Sequence, residues 1–171
     1  KNTEGLFLKM ARILEHSGLE VIDANIFTSK DNGFAANTFI TKYSHHDRPF
    51  TKDELKELAK RIKRNFKDFS KILQVPKKPI KKVSFEKVIN ISHYINKEKD
   101  RDMITIETAD RPGLLVDIAK VFFKKDASIF SSRINTLGDK VEDTFEIESK
   151  NKAKISAAKI NKIIKALKEV V

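Results

Sequence analysis

The sequence has no cysteine among its 171 residues, which excludes disulfide staples and thiolate metal sites. It has no apolar run near the ~20 residues that span a bilayer, and no secretory leader. The expectation is a cytoplasmic chain with no membrane contact. Arginine is scarce beside lysine, although the net charge is +11. Nucleic-acid readers use arginine for bidentate contacts and place aromatic rings between the basic side chains for stacking. Neither pattern occurs, and the lysines are spread along helix faces. The charge therefore reads as a solvated surface, with no nucleic-acid partner expected.

What is present is a repeat. Gly5-Leu6 and Gly113-Leu114 stand 108 positions apart, and the spacing holds onward: Ala11 meets Ala119, Ile26 meets Ile134, and Thr28 meets Thr136. After the first hairpin strand the offset falls by two, so Asn37-Thr38-Phe39-Ile40 meets Asp143-Thr144-Phe145-Glu146. A period this long, seen twice, means tandem units rather than a solenoid. A hydrophobic fraction of 40% suffices for their cores. Residues 1–73 form the first unit and 83–171 the second. Residues 74–82, with two prolines and four lysines, read as the linker. The chain opens on a loop, so the first unit is expected to lack its leading strands, as a piece of a longer protein would.

Periodicity supplies the elements. Leu6, Phe7, Met10, Ala11, Ile13 and Leu14 form a helical stripe that stops at Ser17-Gly18. Strands at about Glu20–Ser29 and Phe34–Lys42 follow, joined through Asp31-Asn32-Gly33. Thr51 and Glu54 make a capping box for a helix carrying Leu55, Leu58, Ala59, Ile62 and Phe66. Val83–Ile91 and residues 102–108 are expected to pair as a hairpin. A helix with Leu114, Leu115, Ile118, Ala119, Val121 and Phe122 inward comes next. Strands at about Ser128–Leu137 and Lys140–Ser149 follow, and a last helix carries Ile160, Ile163, Ile164, Leu167 and Val171. The second unit thus reads β-β-α-β-β-α. This is an α+β, ferredoxin-like order with antiparallel strands and both helices on one face, permuted so that the last strand comes first. The first unit is left with an unpaired strand edge that another chain could cover.

Asp110-Arg111-Pro112-Gly113-Leu114-Leu115 carries the candidate chemistry. A strand that stops at Asp-x-Pro-Gly and turns into a helix builds a small concave site. Pro112 presets φ near the helix start, and Gly113 lets a ligand approach the backbone. The first helical amides are unpaired and can receive a carboxylate, and Asp110 can receive an ammonium. A free amino acid carries both groups. Ser131, Arg133 or Asn135 on the next strand could hold its side chain, with Asn25 the first-unit counterpart of Arg133. The same motif also works purely as a turn and cap. In the first unit Asn2-Thr3-Glu4-Gly5-Leu6 stands in its place, without the proline. Asn2, Gly5 and Leu6 are its candidate contacts. His45-His46-Asp47 reads as polar loop beside Pro49.

These residues resemble a known pattern. Asp110–Leu115 with Asp117-Ile118-Ala119, and Ile134-Asn135-Thr136-Leu137-Gly138-Asp139-Lys140-Val141-Glu142-Asp143, are similar to the C-terminal tandem ACT domains of the bifunctional uridylyltransferase/uridylyl-removing enzymes of bacterial nitrogen control. The resemblance implies a glutamine-sensing regulatory region. It implies upstream catalytic parts, with magnesium as their metal, that attach UMP to the PII signal protein and remove it. It implies no catalytic residue and no cofactor in these residues. Two rival readings stand: a ligand-free module that homodimerises or docks on PII, and an ACT pair from a different parent enzyme.

Overall fold

The computed structural model describes residues 5–29, 33–43, 48–69, 89–149 and 154–171. Six strands and four helices occur among them. In chain order they are α1 (Leu6–His16), β1 (Leu19–Thr28), β2 (Ala35–Tyr43), α2 (Lys52–Lys67), β3 (Asn90–Asn96), β4 (Arg101–Ala109), α3 (Leu114–Lys124), β5 (Ala127–Leu137), β6 (Lys140–Ser149) and α4 (Ala157–Lys168). The strands form one antiparallel sheet in the order β2-β1-β5-β6-β4-β3.

The local reasons are the expected ones. Thr51 accepts from the Glu54 amide while Glu54 reaches back to the Thr51 amide, so α2 starts with a complete capping box. Arg48 clamps the same carboxylate at 2.6 and 2.9 Å. Ser156 caps α4. By contrast α1 and α3 have no side-chain cap. Each begins at a glycine in the left-handed region, Gly5 at φ 68° and Gly113 at φ 78°. A side chain at such a backbone position is strained, so each turn into its helix calls for a glycine.

Alternation along the strands sends one set of side chains toward the helices. Ala24, Ile26, Ile104, Ile106, Ile134, Val141, Phe145 and Ile147 join Leu114, Ile118, Phe122, Ile160, Ile163 and Leu167 in a single core. Phe7 of α1 enters that core and meets Phe145 edge-on at 6.3 Å. The two units therefore share apolar volume as well as a sheet.

Their junction is a pseudo-twofold. Strands β1 and β5 pair antiparallel with Asn25 opposite Arg133, Ala24 opposite Ile134 and Ile26 opposite Ser132. Asn25 and Arg133 are repeat counterparts, so the local axis passes between them. Helices α1 and α3 pack on each other above this seam.

The second unit has the expected permuted order, β3-β4-β6-β5, but its first strand lies further along than Val83–Ile91. Strand β3 runs from Asn90 to Asn96, with Asn90 opposite Glu107, Ile91 opposite Ile106 and Asn96 opposite Arg101. Its alternation passes through polar residues, Ser92 and His93 among them, as suits an edge strand with one solvated face. Residues 83–88, the 74–82 linker, the turn residues 31–32 and His45-His46-Asp47 lie outside the described residues, as does Asn2.

Candidate functional site

Strand β4 ends at Ala109, and the chain crosses to α3 through Asp110, Arg111, Pro112 and Gly113. The Asp110 amide donates to the Asp139 carbonyl at 2.8 Å, tying this crossing to the β5–β6 turn. The Leu114 amide is taken by the Arg111 carbonyl at 3.1 Å, and the Asp117 amide by Gly113 at 3.0 Å. The amides of Leu115 and Val116 find no acceptor among the described residues. These are the orphan donors of the first helical turn, and they lie at the positive end of the helix dipole.

Arg111 is half-buried and committed. Its guanidinium donates to Asp117 at 3.0 Å, to the Pro112 carbonyl at 3.3 Å, and to the Val170 carbonyl beyond α4. It fastens the start of α3 to the end of the last helix. Burial draws its pKa down, while the charges of Asp110 and Glu15 oppose that. Asp110 is more available. Burial raises its pKa, the Arg111 amide and Lys42 pull it back, and Glu20 adds to the rise.

The charges that act on Asp110 and Arg111 include some from the first unit. Glu15 lies on α1, Glu20 on β1 and Lys42 on β2, and Lys42 pairs with Glu20 at 3.0 Å. All three belong to the first unit. The turn of the second unit thus lies within the electrostatic reach of first-unit charges.

Asp143 is the residue that the sequence reading passed over. It lies on the inward face of β6 between Val141 and Phe145 and is fully buried. The Asn135 amide donates to it at 3.3 Å. Burial pushes its carboxyl up to about 7, with nearby Asp110 adding to the rise. A signal was available, because an aspartate occupied an apolar position of a clean alternation. Its counterpart in the first unit, Asn37, has a buried side-chain oxygen that, unlike that of Asp143, finds no partner among the described residues.

The remaining candidates are not gathered at the turn. Gly5 and Leu6 begin α1, where a Cβ on Gly5 would come within 3.0 Å of Phe123 of α3. Ser131, Arg133 and Asn25 point to the sheet face away from the helices, since their neighbours Ser132, Ile134, Ala24 and Ile26 are buried on the helix side. Leu114 is buried in the core and Leu115 packs against it. Asp110, whose carboxylate accepts from the Arg111 amide, and Gly113 are therefore the candidates left at the turn. Among the described residues no three His, Asp or Glu side chains come together as a metal site. No helix among them is long and apolar enough to cross a membrane.

Relatives are found over nearly the whole chain. It is 28% identical over 167 residues to the bifunctional uridylyltransferase/uridylyl-removing enzyme of Psychrobacter cryohalolentis, covering 95% of this chain and 18% of that protein. With the protein of the same name from Burkholderia mallei it shares 26% over 152 residues, 86% of this chain and 17% of that one. The chain thus spans less than a fifth of the curated relatives it matches, and the similarity agrees with the resemblance carried by the motifs. No protein-family model matches it, and no solved structure does.

Proposed function

We propose that this chain is the regulatory, glutamine-sensing region of an enzyme that attaches UMP to the PII signal protein and removes it. Catalysis and its magnesium belong to parts of the protein beyond these residues. The supporting relatives carry the name of such an enzyme and match this chain over 86–96% of its length.

One observation carries the sensing role: a half-buried carboxylate, Asp110, and the orphan amides of Leu115 and Val116 belong to the same turn into α3. An amino acid would set its ammonium on Asp110 and its carboxylate on the amides. Charge-assisted hydrogen bonds of this kind contribute about 1.5–3 kcal/mol each. Two or three, less the cost of ordering, give a dissociation constant between about 1 μM and 1 mM. Because first-unit charges act on Asp110, occupancy would favour one arrangement of the pair. A coupling of about 1–3 kcal/mol biases a balanced switch between two upstream activities.

Titration calorimetry and thermal melting with glutamine test this. At a hundredfold excess over the dissociation constant, binding stabilises by about 2.7 kcal/mol, or about 5–10 °C for a chain of this size. Asp110→Ala should abolish both the heat and the shift while leaving the fold intact. Absence of heat and shift with every common amino acid would leave the ligand-free docking or dimerisation module as the reading.

A further inference from the structure

The pseudo-twofold that relates the two units also relates their helix starts. Gly5 opens α1 and Gly113 opens α3, each with a left-handed backbone. Phe123 lies in the last turn of α3, and its repeat counterpart, 108 positions earlier, is Glu15 in the last turn of α1. The end of α3 reaches the start of α1, since a Cβ on Gly5 would meet ring carbons of Phe123 at 3.0 and 3.2 Å. The end of α1 answers it at the other helix start, where the charge of Glu15 acts on Arg111.

The two related positions are filled differently. Carbon atoms in ordinary contact sit about 3.5–4.0 Å apart, so the Phe123 ring occupies the space that a side chain at Gly5 would need. It covers the bare α-carbon through which a ligand would approach the first turn. The ring is not there to fill the core. Phe122 beside it takes that place at 1% exposure, while Phe123 stays 41% exposed. Glu15 carries no ring. It is held along its own helix by Arg12 at 2.6 Å, an i,i+3 pair.

We infer that this one helix position decides which of the two turns takes a ligand. Phe123 closes the Gly5 turn. Glu15, with no ring, leaves the Asp110 turn as the single site, so each chain binds one amino acid and not two. The inference rests on the amino-acid-sensing reading and gives that site its stoichiometry. Phe123 does not touch the bound amino acid; it acts by keeping the related place shut. A nearly symmetric pair thereby becomes an asymmetric sensor. One ligand loads the two units unequally, whereas two would load them alike.

Glutamine titrated into the 171-residue chain gives the stoichiometry by calorimetry, and backbone amide spectra assign it. The parent chain should bind one equivalent and move the amides of Leu115 and Val116. Phe123→Ala should bind two, with the amides of Gly5 and Leu6 moving as the second fills. Glu15→Phe puts a ring at the related position and should lose the heat while keeping its fold. Glu15→Gln removes the charge without adding a ring and should still bind one. A packing role alone for Phe123 would lower the melting temperature of Phe123→Ala and leave it at one equivalent. Two equivalents in the parent, one in Phe123→Ala, or unchanged binding by a folded Glu15→Phe each overturn the inference and leave the sensing reading standing. No heat from the parent with any common amino acid removes both. Should Glu15→Phe fail to fold, the stoichiometry of Phe123→Ala decides alone.

Discussion

Replacing Asp143 by asparagine isolates the cost of a carboxylate in the core. Asp143 is buried on the inward face of β6, and its carboxyl is pushed up to about 7 by burial first and by Asp110 second. In the unfolded chain it titrates near 3.9. Between those values the folded state holds more protons than the unfolded one. Stability is therefore lost as pH rises through the window and is lowest above it. The linkage gives a penalty of about 1–2 kcal/mol at pH 5 and about 4 kcal/mol at pH 8. Asparagine carries no charge at either pH and keeps an oxygen for the Asn135 amide. Its new amide donor lacks a partner and costs about 1–3 kcal/mol at both pH values. The change with pH is therefore the clean readout. From pH 5 to pH 8 the variant should gain about 2–3 kcal/mol on the parent chain. Urea unfolding at the two pH values, with equal slopes for both proteins, measures this. Parallel pH dependence of parent and variant would refute the assignment of a buried, protonated carboxyl to this position.

Two further substitutions probe the ties that hold the site in place. Arg111→Ala removes the link from the start of α3 to Asp117 and to the Val170 carbonyl. It should cost about 2–3 kcal/mol and speed exchange at Val171, with urea unfolding and hydrogen exchange as the checks. Arg101→Ala leaves the buried Glu146 with only Lys99, at 3.2 Å, and removes a guanidinium stacked 3.5 Å over Phe130. Because Arg101 is itself partly exposed, the loss should be about 2 kcal/mol rather than the full cost of a broken buried pair. Arg101→Lys, with no planar group to stack, should recover less than half of it in the same unfolding assay.

The sequence by itself determined the elements, the repeat and the turn. Apolar spacing placed α1 and α3 to within a residue or two and α4 less closely, since Val171 lies three residues past its end at Lys168; the Thr51–Glu54 pair started α2, and alternation set β5 and β6. These are local signals, because capping, helical period and strand period act within a few residues of chain. Asp110 and Gly113 were legible for the same reason: a left-handed turn into a helix needs its glycine wherever it occurs. The boundary of β3 was misread because an edge strand has only one buried face, and its polar alternation looks like loop.

Only the tertiary structure decided what faces what. That β1 pairs with β5, so that Asn25 meets Arg133, leaves no mark in sequence, because any antiparallel edge can satisfy any other through backbone hydrogen bonds alone. This pairing brings the charges of Glu20 and Lys42 within electrostatic reach of Asp110. It also turns Ser131 and Arg133 to the opposite face, since successive side chains of a strand must point to opposite sides. The burial of Asp143 likewise depends on β4 and β5 flanking β6 on its two sides. A carboxylate's proton affinity is a property of its surroundings, and those are assembled from residues far apart in the chain.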